Sequence, residues 1–117
     1  MQQIVINKQY GGFGLSTKAV EWLRENDYPA GDECKLAGEE YDDGSGVVDE
    51  FIGPVVPKRS QSFRTSEGLI QCVKELGSEA NGDHAQLEIV EVPDGVEWRI
   101  DEYDGLETIE EKHRSWG

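Results

Sequence analysis

Apolar residues recur along this chain with two different periods, and the changes of period mark out the elements. Gln3 to Asn7 holds three successive β-branched residues, Ile4, Val5 and Ile6, a run that suits a strand buried on both faces and central in a sheet. Ser16 then stands as a helix N-cap, with Leu15 before it placed to pack on Val20, and the helix runs to about Asn26. Ala19, Val20 and Leu23 share its inner face with Trp22 at the margin, while Lys18 and Arg24 look outward. A second helix has Ser66 as its cap, Leu69, Ile70, Val73 and Leu76 at helical spacing, and Gly77 at its close. AQLEIVEV and VEWRID read as strands joined at Pro93-Asp94-Gly95, a hairpin turn with glycine in the left-handed position, so that Val96, Trp98 and Ile100 face the core. Asp104 and Glu107 have the spacing of a capping box, and Leu106, Ile109, His113 and Trp116 form one stripe, which predicts a last helix.

Between the two helices, residues 28–57 change character. Asp32, Glu33, Glu39, Glu40, Asp42, Asp43, Asp49 and Glu50 face a lone Lys35, and glycine recurs, as in a variable acidic insertion. Within it VVDEFIGPVV supplies one or two edge strands, because Pro54 and Pro57 lack the donor an interior strand needs. The predicted order is β-α-insertion-α-β-β-α over residues 1–117, a single α+β domain with helices packed on a small sheet.

Charge narrows the partners. Lys and Arg total 11 against 25 Asp and Glu, a net charge of −14 that repels nucleic-acid backbones and anionic membranes. A basic protein surface would be attracted, and a nucleotide could bind where the few basic residues converge. No signal peptide and no apolar run near the roughly 20 residues of a membrane span is present, so a soluble cytoplasmic protein is expected. Cys34 and Cys72 lack CxxC spacing and read as reduced thiols, Cys72 as a core residue.

The candidate chemistry begins at YGGFGLS, residues 10–16, between the first strand and the first helix. Unpaired N–H groups and the positive end of a helix dipole meet there, where an anion can dock. The dinucleotide fingerprint fails because Thr17 takes the third glycine position, and the P-loop fails because Thr17-Lys18 reverses the required order. Glycine clusters usually mark turns, so the weightier reading makes Gly11, Gly12 and Gly14 a tight connection. Tyr10 and Phe13 keep the other reading open, since aromatics beside free N–H groups can stack on a base.

PKRSQSFR places Lys58, Arg59 and Arg64 just before the second helix, either as an anion-binding patch or, somewhat better supported, as a partner for the acidic insertion. Lys112, His113 and Arg114 complement the dipole of the last helix without any ligand. Neither His84 nor His113 has metal-ligand spacing, and DDGSGVVDE does not match a calcium loop, so no metal or cofactor is assigned. No catalytic motif is found, and a non-enzymatic role is expected.

IVINKxYGGFGLS, VKELG and LEIVEVPDGVEWRIDEYDGLE…EKHRSW together resemble a family of small uncharacterised bacteriophage and prophage proteins. The match covers both ends of the chain, and the family's middle varies, in keeping with an insertion at 28–57. The resemblance implies a phage origin and action in the cytoplasm of an infected bacterium. Small non-structural phage proteins often counter host defences, which implies a non-catalytic binding protein whose partner is a small nucleotide signal or a host defence protein. A nucleotide sponge is slightly favoured, with Tyr10, Gly11, Gly12, Phe13, Gly14, Arg59, Arg64 and Arg114 as ligand-binding residues. The alternative is an acidic, nucleic-acid-mimicking inhibitor of a defence enzyme, of anti-CRISPR or anti-restriction type. Direct DNA binding and membrane association are not expected, and homo-oligomerisation stays open.

Overall fold

The computed structural model describes residues 2–41, 43–49 and 54–112. Strand β1 (Gln2–Asn7) pairs antiparallel with β2 (Leu87–Val92), Ile4 opposite Val90 and Val5 opposite Ile89. A second antiparallel ribbon joins β3 (Glu97–Tyr103) to β4 (Leu106–Lys112), Ile100 opposite Ile109 and Glu102 opposite Glu107. Helix α1 (Thr17–Glu25) and the short α2 (Pro29–Asp32) follow β1; α3 (Gln61–Arg64) and α4 (Glu67–Leu76) lead through a 3-10 turn (Gly77–Ala80) to β2. The fold is α+β.

The period of β1 explains how these pieces stack. Successive side chains of a strand point to opposite faces. Val5 enters a core built with Ala19, Val20 and Leu23 of α1 and Leu69, Cys72 and Val73 of α4. Ile4 and Ile6 face the other way and meet Val92, Trp98, Ile100 and Ile109. All three central residues of β1 are therefore fully buried, as the β-branched run requires, although among the described residues only β2 pairs with this strand in a ladder. The β1–β2 ribbon is the middle layer between helices and the β3–β4 ribbon.

Both helix caps are where the sequence puts them. Ser16 Oγ accepts the Ala19 N–H at 3.1 Å and Ser66 Oγ the Leu69 N–H at 3.4 Å, while Gly77 ends α4 at φ +58°. Arg24 departs from the outward position expected of it. It turns back to donate to the Gly31 and Cys34 carbonyls and forms a bidentate pair with Glu39, 2.6 and 2.8 Å, which ties the insertion to α1. The insertion also adds Ala30, Cys34 and Val48 to the buried set. Its expected edge strands reduce to single bridges, Lys35 with Val55 and Glu40 with Val47, and residues 50–53 lie outside the described ones.

Two expectations for the C-terminal third are corrected. Gly95 does sit in the left-handed region at φ +81°, but the strands on either side of Pro93-Asp94-Gly95 do not pair with each other; the turn carries the chain from one ribbon to the other. The last element is a strand in place of a helix. Asp104 (φ +52°) and Gly105 (φ +89°) form a two-residue turn, the Asp-Gly combination that positive φ at both central positions favours, and they close the β3–β4 hairpin. Glu107 is thus no capping residue. Val96, Trp98 and Ile100 pack half-buried on the Ile4–Ile6 face. His113, Arg114 and Trp116 lie outside the described residues.

Candidate functional site

The glycine loop is held from two sides. The Gly11 N–H donates to the Asp104 carbonyl at 3.1 Å, and Asn7 Nδ2 donates to the Gly105 carbonyl at 2.8 Å, so the β3–β4 turn is docked on the loop. Gly105 packs so closely that a Cβ there would strike the Gly11 and Gly12 nitrogens. On the other side the Gly82 N–H donates to the Gly14 carbonyl and the Ser16 N–H to the Ala80 carbonyl, flanking a bridge between Leu15 and Asn81. Gly11 and Gly12 have φ of +124° and +115°, which restricts larger residues. Gly11 and Gly12 therefore make a tight connection of the kind the sequence suggests, whereas Gly14 is not in the left-handed region.

It also forms one wall of a cleft of about 520 Å³, a size within the usual range of small-molecule sites. Gly11 to Thr17 make this wall, Pro54 to Val56 and Lys58 the second, and Gly82, Asp83 and His84 the third. The start of α1 opens into it at Ser16 and Thr17, where first-turn N–H groups and the helix dipole favour negative charge. Among the described residues no hydrogen bond occupies the N–H groups of Gly12, Phe13 or Gly14. Exposed Lys58 and His84 supply a cation and a titratable ring, and Asp83 an opposing carboxylate.

The other expected site residues do not gather there. Arg64 is 1 % exposed, and its guanidinium is hydrogen-bonded within the fold: Nε donates to the Lys58 carbonyl (3.0 Å), Nη1 to the Val5 carbonyl (3.1 Å) and to Glu107 Oε1 (2.7 Å), and Nη2 to Glu107 Oε2 (2.8 Å). A guanidinium so engaged has little left with which to grip a phosphate. Its pairing is with β4 and not with the acidic insertion. Phe13 is buried beneath it, the guanidinium carbon 3.6 Å from the ring centroid, so this aromatic is core and not a platform for a base. Arg59 and Tyr10 are exposed but outside the cleft lining. Arg114 lies outside the described residues.

Glu107 completes a network at the free edge of β1. While its two oxygens take Arg64, Oε1 also accepts the Asn7 N–H at 2.8 Å. The buried ion pair thus serves the backbone groups of Val5 and Asn7 that a neighbouring strand would otherwise satisfy. Asn7 Oδ1 accepts the Gln86 N–H, extending the network to the chain leading into β2.

Lys58 belongs to the basic island but not to the ligand-binding residues expected from the sequence, and His84 enters that expectation only as a residue without metal-ligand spacing. Nothing local joins His84 to the loop; the bridge of Leu15 to Asn81 does so in space. Among the described residues no group of three His, Cys, Asp or Glu side chains could hold a metal ion, and no helix is long and apolar enough to cross a membrane. Burial pushes the Cys34 thiol up to about 12 and Cys72 up to about 11, so both stay protonated near neutrality. Comparison with protein-family models, curated proteins and solved structures returned no match to this chain.

Proposed function

We propose that this is a non-catalytic phage protein that sequesters a small anionic nucleotide signal of bacterial immunity in the cleft beside the glycine loop. The observation that carries this reading is the convergence, on one cleft, of the start of α1, the loop N–H groups and Lys58. These groups suit a phosphate better than an apolar ligand. The residues bearing the ligand are then Gly12, Phe13 and Gly14 through their backbone, with Thr17, Lys58 and His84 through side chains. Arg64 supports them from behind by ordering Phe13 and the Lys58 carbonyl.

Thermal unfolding with a panel of cyclic di- and trinucleotides and cyclic ADP-ribose isomers tests the proposal. Ligand at about a hundred times its dissociation constant adds roughly 2.7 kcal/mol. For a domain of this size that raises Tm by on the order of 10 °C. Lys58→Glu should abolish the shift without lowering the unliganded Tm, because Lys58 is exposed. A panel without any shift at low salt would remove the reading.

A second reading, an acidic inhibitor that occupies a basic nucleic-acid-binding site, is favoured by how the cations are engaged. Lys18, Arg24, Arg64 and Arg99 each pair with a carboxylate, whereas Glu21, Glu25, Asp27, Asp32 and Glu33 stand exposed on α1, on α2 and beside them. Binding of that kind weakens steeply with ionic strength, and binding in a desolvated cleft does so less.

A further inference from the structure

We infer that the surface where the β3–β4 turn meets the glycine loop is a docking surface for an arginine-rich protein segment, with Tyr103 and Tyr10 as its aromatic anchors. This surface adjoins the cleft at Gly11, but neither tyrosine lines the cleft and the inference does not rest on the nucleotide reading. Tyr103 is 77 % exposed and Tyr10 58 %, whereas every other described aromatic residue is buried or half-buried. The two flank one hydrogen bond: Tyr10 precedes Gly11, whose N–H reaches the Asp104 carbonyl, and Tyr103 precedes Asp104.

The backbone that displays these rings is fixed. The turn is held by Gly11 and by the Asn7 amide, and two residues beyond it Glu107 is locked to Arg64. A ring on an immobilised backbone loses little further freedom on binding, and tyrosine is enriched among the residues that dominate interface energies. Charge selects the occupant. Asp101, on the same face of β3 as Tyr103, and Asp104 next to it are exposed, while Arg99 is matched by Glu110 at 2.9 Å. Arginine answers both features, because its guanidinium pairs with carboxylates and stacks on aromatic faces. A second copy of this chain would bring another charge of −14, and a nucleic acid its phosphates, so both are repelled.

Fluorescent oligo-arginine and oligo-lysine peptides of equal length, titrated with the full chain at low salt and read by anisotropy, test this. Oligo-arginine should bind more tightly than oligo-lysine, and Tyr103→Ala should weaken it by about tenfold or more at unchanged Tm, as expected for an aromatic anchor. Tyr10→Ala should act in the same direction, and Val47→Ala, at the other exposed large apolar residue among the described ones, should change nothing. Equal affinity of Tyr103→Ala and the parent chain would assign the attraction to the carboxylates alone and overturn the inference. So would absence of peptide binding, or a Tyr103-dependent dimer of the chain without peptide.

Discussion

A guanidinium that is 1 % exposed must find its hydrogen bonds inside the protein, and Arg64 finds them on Glu107, Val5 and Lys58. Removing one partner of such a pair leaves a buried charge uncompensated, at a cost of about 3–5 kcal/mol. Glu107→Ala should therefore lower the urea midpoint by a corresponding amount without changing the slope, and Glu107→Gln, which keeps an acceptor for Asn7, should cost less. A loss below about 1 kcal/mol for Glu107→Ala would mean that the pair is not buried as described. The role of Arg64 was not legible in the sequence. PKRSQSFR shows three cations together, but the carboxylate that captures one of them lies 43 residues on.

At the scale of elements, what could be read depended on whether the core supplied the pattern. β1, α1 and α4 each carry an apolar signature that matches their buried face, and the hydroxyl caps follow from it. β4 hides its period because its inward face alternates Glu107, Ile109 and Glu111, so two of three inward positions are acidic. The remaining apolar residues, Leu106 and Ile109, stand three apart and mimic a helix. The Asp104-Gly105 pair was the available signal for a hairpin. The insertion is ordered by a different device. The Arg24 guanidinium, and then the Leu36 N–H, hold the Glu39 carboxyl at about 2, well below the ordinary carboxylate range. A depressed folded-state pKa gives stability that is present above the unfolded value and lost as pH falls toward the folded one. Solvent reaches more than a third of the Glu39 side chain, so the pair contributes about 1 kcal/mol or less. Glu39→Gln should remove the part of the stability decline between about pH 4.5 and pH 2 that this group causes, while lowering stability at neutral pH. Identical pH profiles for the two proteins would contradict the clamp.

For the whole molecule, the layered arrangement separates two tasks that the sequence left entangled. The glycine loop and the basic island both touch one cleft, through Gly11 to Gly14 and through Lys58, but Arg64 of the island points into the protein. The sequence motivates the meeting of loop and island and cannot say which side chain faces solvent, since that is decided by Glu107 and Phe13 in three dimensions. The nucleotide binding proposed for the cleft runs through the loop backbone, and amide chemical shifts of the ¹⁵N-labelled chain during titration with the cyclic-nucleotide panel test it. One member of the panel should shift Gly12, Phe13, Gly14, Thr17 and Lys58 together in a saturable way, leaving Glu21, Glu25 and Asp32 where they are. Titrations that move none of the loop amides, or that move only residues away from the cleft, would contradict it.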